Sequence, residues 1–216
     1  WSIGPEAYAE EVRRYVEEVG NLDWAAVQDW MCEPLIIHGG GGKDAAVGTG
    51  LSVKEHQRRT IQSYFDLTRL APEVPWTPVL QGWETSDYED HLKMYDTEGV
   101  DLRTFPVVGL GSVCRRQGTE EIACLIRDLA AEGLSLHGFG IKQKGLCKIA
   151  PLLVSADSLA WSYDARRAPQ KQGTPSCRER HKNCANCLDY ALKWRERLLD
   201  RVFGCPSRDR QLLIFN

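Results

Sequence analysis

The sequence predicts an α/β fold in which parallel strands alternate with helices. Three observations support this class. Apolar runs and amphipathic helical patterns follow one another along the chain, and polar or glycine residues come directly after the predicted strands. The apolar runs at Trp76, Phe105 and Leu134 begin 29 residues apart. Because a strand–helix–strand step takes about 30 residues, this spacing indicates a parallel sheet.

The elements follow in order from the N-terminus. Apolar residues at three- and four-residue steps predict a first helix over 5–19, begun by Pro5 and closed by Gly20. A short strand over 22–27 and a Gly-rich loop over 38–50 follow, and Ser52 with Glu55 resembles a capping box that opens a helix to about residue 70. Further strands are predicted at 76–80, 105–110, 134–139 and near 155–161, and further helices at 85–98, 119–132, 146–154 and 188–202.

The polar residues after the strands favour one of two parallel architectures. Five successive strand ends carry them, whereas a doubly wound sheet concentrates its site at one switch point, so the pattern favours a (β/α)8 TIM barrel. A barrel needs eight strands and typically about 250 residues. The chain has 216 residues, shows about five strands and begins with Trp1 rather than Met. We therefore expect N-terminal strands to be missing from this chain.

Charge divides the chain into two parts. Residues 1–165 contain 15 Lys and Arg against 25 Asp and Glu, and residues 166–216 contain 12 against 5, so balances of −10 and +7 give the net charge of −3. We interpret 1–165 as a partial barrel with a strand-end site and 166–216 as a basic segment with a C-terminal helix. The basic segment suits a polyphosphate chain, although a solvated charged helix would have the same composition.

The basic segment contains the strongest local motif of the chain. Cys177, His181, Cys184 and Cys187 form a C-x3-H-x2-C-x2-C pattern. Zinc prefers four such ligands in a tetrahedron, so the motif predicts a structural Cys3His zinc site, with Cys205 as the alternative to Cys177. The other cysteines lie among apolar residues and are expected to be small buried side chains: Cys32, Cys114, Cys124 and Cys147.

Several other functions lose support. No apolar run approaches the roughly 20 residues that cross a bilayer and no leader opens the chain, so we expect no membrane partner, no disulfides and a cytoplasmic protein. Gly39 to Gly42 before Lys43 lacks the remainder of a phosphate loop, and Gly109-Leu-Gly111 lacks the glycine spacing of a dinucleotide site. We interpret Gly109 and Gly111 as allowing the backbone to approach a flat ligand.

The ordered series of strand ends resembles that of the tRNA-guanine transglycosylase family. It consists of Gln28-Asp29, Val79-Leu-Gln-Gly82, Val108-Gly-Leu-Gly-Ser-Val113, Leu136-His-Gly-Phe-Gly140 and Ser155-Ala-Asp-Ser158. The resemblance covers about residues 5–203 and is greatest to the phage and bacterial DNA-modifying branch, DpdA. It implies a zinc-bearing (β/α)8 barrel that exchanges guanine in DNA for a 7-deazaguanine base such as preQ0, in the cytoplasm of a bacterium or of a phage-infected host.

The resemblance also implies roles for individual residues. Asp157 would attack the sugar C1′ and hold a covalent glycosyl intermediate until the deazaguanine displaces it. The base would be bound by the side chains of Asp29 and Gln81, by the backbone around Gly82, Gly109 and Gly111, and by His137 at its flank.

Three departures from the family qualify these roles. Strict register places Ala160 at the nucleophile of the tRNA enzymes, but Asp157 is the only acid of this motif, and Asp164 is a weaker candidate. The tRNA enzymes have a C-x-C-x2-C zinc motif with a distant histidine, whereas His181 lies inside the cluster here, which supports the DNA branch or another divergent branch. A second family acid, in an Asp-Ser-Gly-Gly-Phe motif, would lie upstream of Trp1, so we expect little or no turnover by this chain alone.

Alternatives to the DNA enzyme stay open. The same exchange on tRNA is the closest, and a non-catalytic, zinc-containing nucleic-acid-binding barrel is a different class. A metabolic barrel enzyme without nucleic acid is disfavoured by the basic segment. Accessory DNA-modification proteins or a second copy of the chain are the protein partners that remain open.

Overall fold

A computed structural model describes residues 1–40, 47–116, 118–167, 177 and 181–204. Within these ranges six parallel strands form two sheets. One sheet pairs β1 (Ala25–Ala26) with β2 (Trp76–Thr77). The other contains, in chain order, β3 (Val79–Leu80), β4 (Val108–Leu110), β5 (Leu136–Gly138) and β6 (Ser155–Ala156).

Pro78 separates β2 from β3 within one extended segment. Proline has no N–H, so it interrupts the regular ladder. The hydrogen bonds nevertheless continue on both sides, from the Val27 N–H to the Thr77 carbonyl at 3.2 Å and from the Gly109 N–H to the Pro78 carbonyl at 2.9 Å. The strand order β1, β2–β3, β4, β5, β6 therefore follows the chain without the reversal that defines a doubly wound sheet.

Helices connect the parallel strands. They are α1 (Pro5–Glu18), α2 (Pro34–His38), α3 (Val53–Leu70), α4 (Thr85–Thr97), α5 (Glu120–Ala131), α6 (Gln143–Ile149), α7 (Ala160–Arg167) and α8 (Leu188–Phe203). Two begin at side-chain caps: Ser52 Oγ accepts from the Glu55 N–H at 3.1 Å, and Thr119 Oγ1 accepts from the Ile122 N–H at 3.3 Å. Each cap satisfies an N–H that has no partner inside its helix.

Buried apolar side chains hold the helices against the strands. The largest cluster joins β3 to β6 with α3, α4, α5, α6 and α8, and includes Leu80, Leu110, Ile126 and Leu136, which are all inaccessible to solvent. A second cluster packs α1 and α3 on β1 and β2, where Leu67 is fully buried. A third cluster lies between α7 and α8 and contains three of the C-terminal cysteines.

The inner face of the sheet is curved. Trp24 precedes β1 and His137 lies in β5, three strand positions away, which is about 14 Å in a flat sheet. Their ring centroids are nevertheless only 4.8 Å apart. Phe139, which follows β5, also packs against the cluster around β1 and β2. The strands therefore curl towards one another as in a barrel wall, although a closed eight-stranded barrel is not formed by the described residues.

The structure confirms the predicted α/β class with parallel strands and corrects several elements. The strands are shorter than predicted, and α2 begins before the predicted Gly-rich loop. The helix expected over 146–154 is shifted, since α6 ends at Ile149 and a 3-10 turn follows. Ala160 and Trp161 were predicted to end a strand, but they are the first residues of α7.

Two cysteines are more exposed than the sequence predicts. Cys124 and Cys147 were expected to be buried, but both are exposed because they lie on the solvent sides of α5 and α6. The seven cysteines within the described ranges are all free of disulfides. Residues 41–46, which include Gly41, Gly42 and Lys43, and the alternative zinc ligand Cys205 lie outside the described residues.

Candidate active site and zinc cluster

The predicted site residues collect at the carboxyl ends of the strands. Asp29 follows β1, Gln81 follows β3, Gly111 follows β4 and Asp157 follows β6, while His137 lies within β5. Because the strands are parallel and adjacent in chain order, these ends meet along one edge of the sheet. We call this group of side chains the strand-edge site.

A chain of hydrogen bonds joins three strand ends. The Gln81 Nε2 donates to Asp29 Oδ2, and the Ser112 hydroxyl donates to Gln81 Oε1 at 2.6 Å. The Cys32 N–H donates to the same hydroxyl at 2.8 Å. Gln81 is 0% exposed, whereas Asp29 is half-buried. Gln81 therefore fixes the Asp29 carboxylate. Among these hydrogen-bonded residues, Asp29 is the one that solvent reaches.

Two buried side chains that sequence reasoning missed hold the backbone of Gln81. The Gln81 N–H donates to His91 Nδ1 at 2.9 Å, and Gln57 Nε2 donates to the Gln81 carbonyl at 2.8 Å. Burial lowers the pKa of His91 to about 3, so this ring is neutral and suited to accept. The signal for both residues was a polar side chain at a core position of an amphipathic helix.

The glycines of the site lie so close to neighbouring side chains that a Cβ would not fit. A Cβ at Gly111 would overlap the Gln81 amide, and a Cβ at Gly109 would lie 2.5 Å from the Phe139 ring. A Cβ at Gly82 would lie 2.8 Å from the ring of Tyr88. In this structure the close neighbours of these glycines are therefore side chains of the protein itself.

A second group surrounds Asp157. The Asp157 carboxylate accepts from the Gly140 N–H, and its Oδ1 lies 3.9 Å from Nε2 of His137. His137 Nδ1 is 2.7 Å from the Ser155 hydroxyl oxygen, and its ring meets the rings of Trp24 and Phe139 at 4.8 Å each. The histidine ring is thus fixed on several sides beside the carboxylate.

Burial changes the protonation of this second group. It lowers the pKa of His137 to about 4, so the ring is neutral at neutral pH and forms no ion pair with Asp157. Burial also raises the pKa of Asp157, and the hydrogen bond from Gly140 opposes that rise because it favours the carboxylate.

A further buried acid lies near Asp29. Burial raises the pKa of Asp29 to about 6, against the hydrogen bond from Gln81, and the nearby charge of Glu33 adds to the rise. Glu33 is only 3% exposed, and its Oε1 accepts from the Cys114 thiol at 3.6 Å. Sequence reasoning missed Glu33, although an acid four residues after Asp29 in the same strand-end loop is the pattern that could have indicated it.

The predicted zinc ligands come together between α7 and α8. The ligand atoms of Cys177, His181, Cys184 and Cys187 all lie within 4.8 Å of one another. The three cysteines are buried and the histidine is half-buried. Ala165 of α7 and Tyr190 of α8 pack around them, so the cluster links the two helices.

The spacing of the ligand atoms fits a tetrahedral zinc ion. Zinc–sulfur bonds of 2.3 Å place two thiolates about 3.8 Å apart in a tetrahedron, and a thiolate and an imidazole nitrogen about 3.5 Å apart. The Cys177 and Cys187 sulfurs are 3.8 Å apart, and His181 Nε2 is 3.3 Å from the Cys184 sulfur. These four residues could therefore hold a structural zinc ion.

The fold and the site define a protein of parallel α/β architecture with a polar strand edge and a Cys3His cluster. The chain belongs to the DpdA family, described as DeoxyPurine in DNA protein A, whose sequence profile matches residues 1–211. Membership indicates a role in the modification of DNA with 7-deazaguanine and is consistent with a transglycosylase-like enzyme. Searches of curated proteins and of solved structures give no significant match. No helix in the described ranges is long and apolar enough to cross a membrane.

Proposed function

We propose that the protein exchanges guanine in DNA for a 7-deazaguanine base through a covalent intermediate on Asp157. The observation that carries the proposal is a half-buried carboxylate, oriented by the Gly140 N–H, on the same strand edge as the Asp29–Gln81–Ser112 chain. A fixed carboxylate beside polar groups that can bind a base is what exchange at an anomeric carbon requires.

Asp157 acts as the nucleophile in two displacements. Its carboxylate oxygen forms a bond to C1′ of the target nucleotide while the bond from C1′ to guanine N9 breaks, and guanine leaves with that electron pair and takes up a proton. The incoming deazaguanine then attacks C1′ through N9 and loses its N9 proton, which releases the Asp157 carboxylate. The phosphodiester backbone stays intact throughout.

Asp29 is the principal contact to the base. Guanine presents N1–H and N2 amino donors on its Watson–Crick edge, and a carboxylate accepts from both. Gln81 keeps this carboxylate in position, the backbone from Gly109 to Ser112 adds contacts to the base, and His137 flanks it. The neutral His137 ring adds no positive charge beside Asp157, which leaves the carboxylate free of an ion pair that would weaken it as a nucleophile.

The test is incorporation of a labelled 7-deazaguanine base into duplex DNA and into tRNA by the full-length protein. We expect label in DNA, a trapped protein–DNA adduct, and loss of both in Asp157→Asn. The matched control is Asp128→Asn, the same change at an exposed position of α5, which should retain both. Full exchange by Asp157→Asn would overturn the assignment, and loss of exchange in Asp164→Asn alone would move the nucleophile to that residue.

The remaining outcomes identify the alternatives. Label in tRNA alone would place the protein with the tRNA enzymes. Salt-dependent DNA binding without label in either substrate, in a folded and zinc-loaded sample, would favour a non-catalytic nucleic-acid-binding protein.

A further inference from the structure

A groove lies between α8 and the segments that follow β5 and β6. Its volume is about 660 Å³, within the range of ligand-binding clefts. Lys142 and Gln143 line one wall, Ala160 lies at the start of α7, and Arg197 and Arg201 line the α8 wall. The groove is separate from the strand-edge site but adjoins it along the chain.

The groove begins where the strand-edge site ends. Lys142 comes two residues after Gly140, whose N–H holds the Asp157 carboxylate. Ala160 comes three residues after Asp157 itself. Both loops that shape the surroundings of the proposed nucleophile therefore continue directly into the groove walls.

The groove is positively charged. Lys142, Arg197 and Arg201 are cations, and among the described residues that line the groove Asp164 is the one acid. The Asp164 carboxylate accepts from the Tyr190 hydroxyl at 2.7 Å. Arg197 and Arg201 are four residues apart and so lie on the same face of α8. Arg201 Nη1 also donates to Gln143 Oε1 at 3.0 Å, which ties α8 to the opposite wall.

The negative charge of the rest of the protein confines its attraction for a polyanion to this groove. Residues 1–165 carry a balance of −10, so most of the protein repels a polyanion. A positive cleft in an acidic body concentrates the attractive potential in one place. The groove is therefore where a polyphosphate would be held.

We infer that this groove binds the sugar–phosphate backbone of the DNA strand whose guanine occupies the strand-edge site. The inference rests on the proposed function. A base inside a duplex is out of reach of Asp157, so the target nucleotide must leave the stack. The phosphates next to it must then be held close to the strand edge, and the groove offers cations at that position.

The test compares charge reversals on two faces of the same helix. Arg197→Glu and Arg201→Glu remove groove cations, whereas Arg195→Glu makes the same change about 160° around α8 from Arg197. Binding of a fluorescently labelled DNA duplex is measured by anisotropy over a range of salt concentrations. Zinc content and thermal unfolding of each variant are measured alongside, and Arg197→Lys and Arg201→Lys keep the charge.

We expect each groove reversal to weaken binding at least about tenfold and to lower the salt slope by about one, because a phosphate contact is lost. Arg195→Glu should bind within about twofold of the wild type, and the lysine variants should recover most of the affinity. Equal weakening by all three glutamate variants would overturn the inference, because net charge alone would then explain the effect. A tRNA that competes better than an equal concentration of DNA would overturn the assignment to DNA.

The binding assay contains no deazaguanine, so it is independent of base exchange. If Asp157→Asn keeps exchanging bases while the groove reversals weaken DNA binding, the proposed nucleophile fails and the groove stands. If Asp157→Asn loses exchange while Arg197→Glu binds DNA as well as Arg195→Glu, the groove fails and the nucleophile stands.

Discussion

The strand-edge site and the Cys3His cluster are assembled in opposite ways. The strand-edge site draws its side chains from five strand ends spread from Asp29 to Asp157, and parallel pairing brings them together. The cluster draws its four ligands from one short segment, Cys177 to Cys187. The first depends on the packed sheet, and the second on local chain geometry and the ion that its ligands fit.

The two regions also differ in the hydrogen bonds that their polar groups make. In the strand-edge site Gln81 makes hydrogen bonds to protein groups through both ends of its amide and through its backbone. The sulfurs of the cluster are weak hydrogen-bonding groups and face one another. The strand-edge site should therefore form without any ligand, whereas the cluster should depend on metal.

Metal removal should give the largest effect and should be confined to one region. We expect Cys184→Ser, or chelation of the wild type, to unfold α7 and the start of α8 locally while the sheet persists, because structural zinc contributes on the order of 10 kcal/mol to small domains. The second half of α8 should stay folded, since Leu198 packs into the main core. Limited proteolysis and circular dichroism, with zinc content measured by atomic absorption, would show it. Cys124→Ser, an exposed thiol on α5, is the control. Normal zinc content and protease resistance in Cys184→Ser would remove the distinction between the two regions.

Gly111→Ala should give the next largest effect, this time in the strand-edge site. The new Cβ would overlap the buried Gln81 amide, and moving it breaks the hydrogen bonds to Asp29 and Ser112. Losing two buried hydrogen bonds should lower the free energy of unfolding by about 3 kcal/mol. Gly118→Ala is the control in urea unfolding. Gly118 also comes after β4, and a Cβ at this position would meet no atom within 4 Å. Equal stability of the two variants would mean that Gln81 moves without cost.

The two regions also differ in how far sequence predicts them. The cluster was predicted from spacing alone, because its ligands are local and its geometry is set by the metal. The strand ends were predicted because strand and helix periodicities alternate regularly and parallel strands end on one edge. The predicted cap of α3 at Ser52 is confirmed, and it was predictable because its hydrogen bond to Glu55 is local.

Long-range packing accounts for what sequence did not predict. The burial of Gln81, and the support it receives from Gln57 and His91, depend on two helices that meet the same strand end. The exposure of Cys124 depends on which side of α5 faces the sheet, and a small apolar residue does not settle that. The start of α7 at Ala160 was missed because the helix has only 8 residues and begins shortly after β6, so its first residues were interpreted as the end of that strand.

Asp29→Asn should have a smaller, pH-dependent effect within the strand-edge site. The pKa of Asp29 is about 6 in the folded protein against an ordinary 3.8, so the folded state holds this proton more tightly. Its contribution to stability is complete below about pH 4 and is lost as the pH rises through 6. The variant should therefore gain stability over the wild type by about 2 kcal/mol between pH 4 and pH 7. The buried histidines are common to both proteins and cancel in this difference, so a pH-independent difference in urea unfolding would contradict the burial of Asp29.

Ser52→Ala should give the smallest effect and shows whether the two regions are independent. Its hydroxyl caps α3, so its loss should cost about 1 kcal/mol in urea unfolding, and Ser52→Thr should recover most of that loss. The same helix carries Gln57, which holds the Gln81 backbone, so fraying at the cap should reach the strand-edge site. Hydrogen exchange should accordingly quicken along α3 and at Gln81, while zinc content and exchange in α8 stay unchanged. Faster exchange in α8 would mean that the cluster is mechanically coupled to the sheet, and that the metal then stabilises the strand-edge site as well.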